Sequence, residues 1–386
     1  MIKFNEKKNK IIIQDTTLRD GEQTPRVAFK LGDKIKIVNG LIDLGVDVIE
    51  IGFPAASNEE KKIISKICRN FAKSKVKFCI FSRALEEDIV AAYEATKTKD
   101  NIKIQIVVPS SDSHIKYSVN KNKSQIIDSL KASIFLAKKN FKDIQFTAQD
   151  APRADRKFLY KLIKIAIEGG AKTICLPDTV GACTPNEYQR LIKDIKKKFL
   201  RYNIIIAAHC HNDLGLATAN TIAALEAGAM QLECTLNGLG ERAGNTPLEE
   251  IIAILDLKKK HLLSDKINFK SLRKISIIIE KITGINIADN KPVLGKNVFM
   301  HASGMHQKAV LINKESFEIL DANKYGFSGG KIIIGKLSGR AALKKILNKK
   351  NISLDNNALE KLIIAVKREA YNKKELNFPE IKKLIK

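Results

Sequence analysis

The sequence lacks the features that direct a protein into a membrane or out of the cell. No apolar stretch approaches the ~20 residues that cross a bilayer. The first 13 residues are basic, but their apolar run is only three residues long, which is too short for a secretion signal. Six cysteines are present without a C-x-x-C pair, and most lie in apolar, strand-like runs. These absences predict a reduced, cytoplasmic protein.

Aromatic and acidic residues are also scarce. Tryptophan is absent, aromatic residues make up 6% of the chain, and 42 acidic residues stand against 68 lysines and arginines. The resulting net charge of +26 suits a nucleic acid or another polyanion as partner. The excess is almost all lysine and is spread along helix-like segments, which favours a solvated surface. We therefore expect no specific nucleic-acid partner and no membrane partner.

What the sequence does contain is a regular alternation of short β-branched runs and segments of helical period, from residue 10 to about residue 275. Eight such pairs match the number and size expected of a (β/α)8 TIM barrel. An open doubly wound sheet is the alternative, but it usually needs a glycine-rich loop after its first strand, and TLRDGEQTP has one glycine. The strands are expected at 10–18, 46–54, 75–83, 102–110, 143–150, 171–179, 203–213 and 230–238.

This alternation ends near residue 275. The rest of the chain reads as a helix, a proline-containing connector, a polar loop with two histidines and then highly charged helical segments. We therefore predict a catalytic barrel over residues 1–275. A helical linker and a smaller, mostly helical C-terminal subdomain are expected over residues 276–386.

The predicted seventh strand ends in the segment HCHND, and the C-terminal ends of barrel strands are where functional groups gather. Residues i and i+2 of a strand project to the same face, so His209 and His211 can reach one ion while Cys210 points toward the helices. Asp20, at the end of the first strand, is the candidate third ligand. This nitrogen and oxygen set suits a divalent metal such as zinc or manganese. The alternative is that both histidines only pack within the fold and bind no metal.

Arg19 directly precedes the candidate ligand Asp20. A guanidinium that is always protonated can stabilise the negative charge that develops on a carbonyl oxygen polarised by a metal. A surface ion pair is the alternative for Arg19. His301 and His306 share one motif after the barrel. The residues alone leave open whether these histidines take part in a reaction or only form hydrogen bonds that stabilise a loop.

Five motifs in order resemble those of a known family: DTTLRDGEQ, VDVIEIGFPAAS, LPDTVG, HCHNDLGLATAN and NGLGERAGN. They resemble the metal-dependent Claisen-condensing enzymes of the isopropylmalate synthase and homocitrate synthase group, related to HMG-CoA lyase. GKNVFMHASGMHQ and GKLSGRAALKK resemble the segments that follow the barrel in these synthases, so the likeness covers nearly the whole chain. The chain has no counterpart of the leucine-sensing domain of most isopropylmalate synthases, so feedback inhibition through that domain is not expected.

The resemblance implies a divalent metal (Mn, Mg or Zn) held by Asp20, His209 and His211, with Asn245 as a possible further ligand. It also implies acetyl-CoA as a substrate. In this chemistry a base removes a methyl proton from acetyl-CoA, the enolate attacks the ketone of a 2-oxo acid, and water then cleaves the thioester. Such an enzyme is an acyltransferase.

The resemblance also assigns roles to single residues. Arg19 would bind the keto oxygen of the 2-oxo acid and Thr179 its carboxylate. His306, in the SGxHQ segment, would take part in the proton chemistry and is typically lent by the partner subunit, which implies a homodimer. Gln149 and Glu241 complete the candidate catalytic residues.

Two positions depart from the family pattern. Gln149 stands where the synthases usually have a glutamate, and an amide cannot carry the charge that would support His306 as a base. Lys308 stands where an aspartate is common. A degenerate, non-catalytic homologue is therefore one alternative. A CoA-ester lyase is another, although NGLGERAGN lacks the cysteine that those lyases carry in this loop.

The segments RALEEDIVAAYEA, SSDSHIKYS and LPDTVGACTPNEY resemble isopropylmalate synthases more than homocitrate synthases. We therefore predict 3-methyl-2-oxobutanoate as the acceptor, giving 2-isopropylmalate for leucine biosynthesis. GEQTPRVAF and the short chain also suit homocitrate synthases, which leaves 2-oxoglutarate or another 2-oxo acid such as pyruvate as alternatives. His114 is expected either to line the acceptor pocket or to face solvent.

Overall fold

A computed structural model describes residues 10–97 and 101–385. Its eight parallel strands close into a barrel in sequence order, because β1 pairs with both β2 and β8. The predicted (β/α)8 architecture is confirmed, and an open sheet is excluded. The prediction that the chain has no export signal concerns its first 13 residues, and residues 1–9 of that segment lie outside the described ranges. The barrel strands are β1 (Ile12–Asp15), β2 (Val48–Glu50), β3 (Lys77–Arg83), β4 (Ile102–Pro109), β5 (Asp143–Gln149), β6 (Thr173–Cys175), β7 (Ile205–His209) and β8 (Gln231–Cys234).

Helices follow the strands and bury their apolar stripes against the barrel. Their ends carry the expected signals: in α6, Thr184 and Glu187 form a capping box around Pro185 at the first helical position. Gly228 ends α7 with a φ of 107°, which is the left-handed conformation that glycine adopts without a Cβ penalty. The helices of this part are α1 (Leu31–Leu44), α2 (Asn58–Asn70), α3 (Glu86–Thr96), α4 (Lys123–Asn140), α5 (Arg156–Glu168), α6 (Pro185–Lys198), α7 (Ala217–Ala227), α8 (Leu248–Lys258) and α9 (Phe269–Thr283).

The chain divides into two compact units, residues 1–285 and 286–386. The first is the barrel with α9, which packs on α1. The boundary expected after residue 275 lies inside α9 (Phe269–Thr283), so this helix continues the barrel unit and does not begin the appendage.

The second unit has a small core of its own, built on Leu343, Leu347, Leu362 and Val366. Its strands β9 (Met300–His301) and β10 (Lys331–Ile332) form a parallel pair. Across residues 10–97 and 101–385, every helix is too short or too polar to cross a bilayer. The helices of the second unit are α10 (Gly304–Ile312), α11 (Arg340–Asn348), α12 (Asn356–Glu369) and α13 (Phe378–Lys383).

Candidate metal centre and acceptor pocket

The three residues proposed as metal ligands converge at the C-terminal end of the barrel. One ligand atom each of Asp20, His209 and His211 lies within 4.8 Å of the others. The Nε2 atoms of the two histidines are 3.4 Å apart, and His209 Nε2 is 3.5 Å from Asp20 Oδ2. All three side chains are buried. Cys210, between the two histidines, contacts Thr221 and Tyr188 in the helix layer, as the strand alternation predicts.

Asn245 supplies an independent test of whether these residues fit a metal. Its Nδ2 donates to Asp20 Oδ1 at 2.8 Å and to the Leu239 carbonyl at 3.1 Å. Within the described part of the chain its buried Oδ1 has no hydrogen-bond partner. A buried acceptor without a partner costs free energy unless a hydrogen-bond donor or a cation binds it. A Cβ at Gly240 would lie 2.1 Å from Asn245 Nδ2, so glycine is needed there. An orphaned oxygen beside two imidazoles and a carboxylate fits a divalent cation. We refer to Asp20, His209 and His211, together with Asn245, which donates to Asp20, as the metal-facing wall.

Arg19 is held beside this wall by two carboxylates. Its Nε donates to Glu50 Oε2 at 2.8 Å, and its Nη1 donates to Asp20 Oδ2 at 2.6 Å. The guanidinium also lies 5.0 Å from the centre of the Phe81 ring. Only 11% of the Arg19 side chain is exposed, so the alternative of a surface ion pair is wrong. Burial opposes ionisation of Asp20, but the charges of Arg19 and His209 hold its pKa well below the usual range.

Two buried glutamates at this site were missed by sequence reasoning. Glu50 pairs with Arg19, and burial raises its pKa to about 7 against the opposing charge of Arg19. Glu233 Oε2 lies 3.2 Å from His209 Nδ1, the arrangement by which a carboxylate orients a metal-binding histidine. The available signal was a single carboxylate inside each of the apolar strands VIEIGF and MQLEC.

The two histidines differ in electrostatic environment. Burial lowers the pKa of His209, but Glu233 and Asp20 raise it by more, so the net shift is upward. Burial together with the charge of His209 lowers the pKa of His211 to about 4. His211 is therefore neutral at pH 7, the form in which an imidazole binds a metal.

The metal-facing wall borders a pocket of about 330 Å³. Four other residues proposed from the sequence line this pocket: His114, Gln149, Thr179 and Glu241. We refer to these four pocket-lining residues outside the ligand cluster as the opposite wall. Apolar side chains complete the lining, among them Phe81, Val107, Pro177 and Val180.

Within the opposite wall, His114 belongs to a turn of π-helix after β4 (His114–Ser118). Its side chain is 18% exposed and its Nε2 lies 3.7 Å from Asp150 Oδ2, so it lines the pocket and does not face solvent freely. The hydroxyl of Thr179 accepts from the main-chain N of Asp150 at 2.9 Å, which leaves its own proton to be donated elsewhere. Gln149 ends β5 and has its main-chain oxygen bound by Ser110.

Arg242, which sequence reasoning did not single out, also borders the pocket. It is bidentate to Asp213, at 2.7 and 2.9 Å, and donates to the Thr179 carbonyl at 2.8 Å. Its φ of 55° is strained for a side chain other than glycine, and no local sequence signal predicts it.

His306 belongs to the second unit, on α10. Its ring stacks on Phe317 with centroids 3.8 Å apart. His301, in the same motif, is buried and its Nε2 lies 2.9 Å from Glu318 Oε1. The chemical role of His306 stays a prediction.

Comparisons with known proteins agree with this fold. Residues 10–279 match the HMGL-like family, and residues 293–374 match the homocitrate synthase post-HMGL domain-like family. A 2-isopropylmalate synthase of Pyrococcus furiosus is 41% identical over 97% of this chain and 75% of its own length. One of Prochlorococcus marinus is 39% identical over 97% of this chain and 71% of its own length. The HMG-CoA lyase of Bacillus subtilis, with a TM-score of 0.63 and 23% identity over 72% of this chain and 96% of its own, shares the fold.

A closed barrel with a buried histidine and aspartate cluster at its C-terminal end defines the class, and the chain belongs to the HMGL-like family. Within it, the chain belongs with the 2-isopropylmalate synthases, at about 40% identity over nearly its whole length. The family predicted from the sequence is thereby confirmed.

Proposed function

We propose that the protein is an acyltransferase that condenses acetyl-CoA with 3-methyl-2-oxobutanoate to give 2-isopropylmalate and CoA. The observation that carries this proposal is the placement of Arg19 directly beside three converging ligand atoms at one end of an otherwise half-apolar pocket. That pairing suits a reaction in which negative charge develops on a carbonyl oxygen. The names of the relatives support the same reaction.

Asp20, His209 and His211 hold a divalent metal in this proposal, with Asn245 Oδ1 as a further ligand. When bound, the metal acts as a Lewis acid toward the keto oxygen of the 2-oxo acid. Manganese, magnesium and zinc all fit the ligand types.

The protein's own groups orient the acceptor and move protons. Arg19 hydrogen-bonds the keto oxygen, and Thr179 donates its free hydroxyl proton to the carboxylate. A base takes a methyl proton from acetyl-CoA, the new carbon–carbon bond forms, and a water molecule hydrolyses the thioester. We assign the proton transfer to His306 of the partner subunit in a homodimer, with Glu241 beside the pocket and Gln149 as a neutral hydrogen-bonding group.

The side chains that line the pocket determine which 2-oxo acid can bind as the acceptor. Phe81, Val107 and Val180 offer apolar surface that fits an isopropyl group. A second carboxylate, as in 2-oxoglutarate, needs a cation, but the two arginines of the pocket, Arg19 and Arg242, are both already paired with carboxylates. Burying an unpaired carboxylate is costly, so the branched acceptor is favoured.

The test follows CoA release from acetyl-CoA with a panel of 2-oxo acids, before and after addition of Mn²⁺, Mg²⁺ or Zn²⁺ to metal-free protein. We expect turnover with 3-methyl-2-oxobutanoate that exceeds turnover with 2-oxoglutarate and pyruvate. No turnover with any acceptor, in folded and metal-loaded protein, would contradict the synthase. A preference for 2-oxoglutarate would change the proposed acceptor but leave the proposed class of reaction unchanged.

We propose that this reaction takes place in the cytoplasm.

A further inference from the structure

The barrel interior contains a set of hydrogen-bonded, buried polar side chains that includes Lys103 on β4, Gln145 on β5, and Gln231 and Glu233 on β8. Gln145 and Gln231 also donate to Gln105 on β4 and Gln14 on β1. None is more than 3% exposed. Inward positions of such barrels usually carry branched apolar residues, and buried polar groups require hydrogen-bond partners. The donors and acceptors that the first four of these side chains carry determine the direction of the hydrogen bonds between them.

Lys103 fixes one end of the set. Its Nζ donates to Gln231 Oε1 at 2.8 Å and lies 3.5 Å from Gln145 Oε1. An ammonium has three donors and no acceptor. Both glutamine side chains must therefore turn their carbonyl oxygens toward Lys103.

The amide nitrogens of the same two glutamines consequently face the other way, toward Glu233. Gln145 Nε2 donates to Glu233 Oε1 at 2.7 Å, and Gln231 Nε2 donates to the same oxygen at 3.0 Å. One carboxylate oxygen of Glu233 thus accepts from two amides whose orientation is set by Lys103.

The other carboxylate oxygen of Glu233 meets His209. Glu233 Oε2 is 3.2 Å from His209 Nδ1, and a carboxylate that already receives two donors on its first oxygen acts as an acceptor here as well. His209 therefore donates from Nδ1, so that its neutral form, the form in which an imidazole binds a metal, carries the lone pair on Nε2. That Nε2 is the atom 3.4 Å from His211 Nε2 and 3.5 Å from Asp20 Oδ2.

We propose that Lys103, Gln145, Gln231 and Glu233 form a one-way hydrogen-bond relay that holds His209 in the tautomer able to bind a metal through Nε2. The four residues act on the proposed metal through His209 as positioning residues, and Glu233 is the member of the set that also lines the pocket. This inference rests on the proposed metal site. It gives a role to a lysine that is buried in the barrel interior and does not line the pocket.

The relay is tested on the full-length, metal-free protein by isothermal titration with Mn²⁺. Glu233→Gln keeps the shape but supplies a donor where the glutamines also donate, and we expect Mn²⁺ affinity to fall about 10- to 100-fold. Lys103→Met removes the group that orients the amides, and we expect a smaller loss, roughly 3- to 10-fold, because the effect passes through intervening hydrogen bonds. The control is Glu249→Gln, which changes a buried carboxylate on α8 that accepts from the main-chain N of Asn237 and should leave the affinity unchanged.

A second measurement needs no variant. Long-range ¹H–¹⁵N correlation spectra of metal-free protein labelled at histidine, recorded at a pH where the His209 ring is neutral, report which ring nitrogen carries the proton. We expect His209 to be protonated at Nδ1 in the wild type and to lose that preference in Glu233→Gln. A wild-type His209 protonated at Nε2, or a folded Glu233→Gln variant with wild-type Mn²⁺ affinity, would overturn the relay. Wild-type protein that binds none of Mn²⁺, Mg²⁺ and Zn²⁺ would instead overturn the metal site, while the spectra still decide the tautomer.

Discussion

The two walls of the barrel pocket differ in how their polar groups are held. On the metal-facing wall, Asp20 is fixed by Arg19 and Asn245, and His209 is fixed by Glu233. On the opposite wall, Gln149 presents a neutral amide to the pocket. Charged groups opposed at short range keep a ligand set in place, whereas an amide has no proton to exchange at neutral pH. The comparison shows that charged neighbours position Asp20 and His209, whereas the amide of Gln149 supplies no proton at neutral pH.

The largest expected effect comes from breaking the metal-facing wall itself. Asp20→Ala, or removal of metal by a chelator, should lower the rate of CoA release roughly 10³-fold, because several kcal/mol of transition-state stabilisation are lost. Steady-state assays with 3-methyl-2-oxobutanoate measure the loss, and Asp265→Ala, whose side chain is 94% exposed, is the control. A chelated enzyme that kept its full rate would show that this wall is not a metal site.

Next in size is the support beneath the segment that carries Arg19 and Asp20. Lys34 is fully buried between Glu22 Oε2 at 2.7 Å and Glu60 Oε1 at 2.6 Å. Lys34→Met leaves two carboxylates without their cation and should lower the free energy of unfolding by about 3–5 kcal/mol, measured by urea denaturation.

The matched control for Lys34 is Lys61→Met on α2. Lys61 pairs with Glu94 in a partly exposed ion pair, and such pairs contribute about 0–1 kcal/mol. Equal losses in the two variants would contradict the claim that the buried triad supports the site.

A smaller, pH-dependent effect is expected at Asp15, at the end of β1. Burial raises its pKa to about 7, with Glu50, Glu249 and Cys234 facing it and Thr17 opposing the shift through two hydrogen bonds. Since the folded state keeps this proton longer than the unfolded state, the stability it contributes is present below about pH 4 and is lost as pH rises toward 7.

Asp15→Asn removes that dependence. As pH rises from about 4 to 7, the free energy of unfolding of the variant should increase relative to that of the wild type by on the order of 1 kcal/mol per pH unit. Urea denaturation at several pH values measures the difference, with Asp265→Asn as the exposed control. Parallel curves for wild type and Asp15→Asn would show that Asp15 has an ordinary pKa.

The smallest effect, and the one that addresses the opposite wall, is expected from Gln149→Glu. A carboxylate there can support a histidine base, and we expect the rate of CoA release to rise about 10-fold. The control is Gln189→Glu, the same chemical change on α6 at a residue outside the pocket lining that accepts from Lys193, which should leave the rate unchanged. An unchanged or lower rate in Gln149→Glu would show that another group already moves the proton.

Much of the architecture follows from local pattern. All eight strands lie within the segments predicted from alternation, and the i, i+2 spacing of His209 and His211 predicted that both face the same side. The domain boundary was less predictable, because α9 has the same helical period as the segments on both sides of residue 275. Its packing on α1 assigns it to the barrel, and packing is not visible in a local pattern.

By itself, the sequence determined the barrel, the family and the candidate ligands, because strand and helix periods and short motifs are local properties. Only the tertiary structure decided what surrounds them. Glu50 and Glu233 look like isolated charges in apolar strands until the pairing of β1 with β2 and of β7 with β8 brings them to Arg19 and His209. Lys103 likewise gains its meaning only when β4 and β8 face each other across the barrel interior. Hydrogen bonds between residues more than a hundred positions apart arise from closure of the sheet, and no local spacing encodes them.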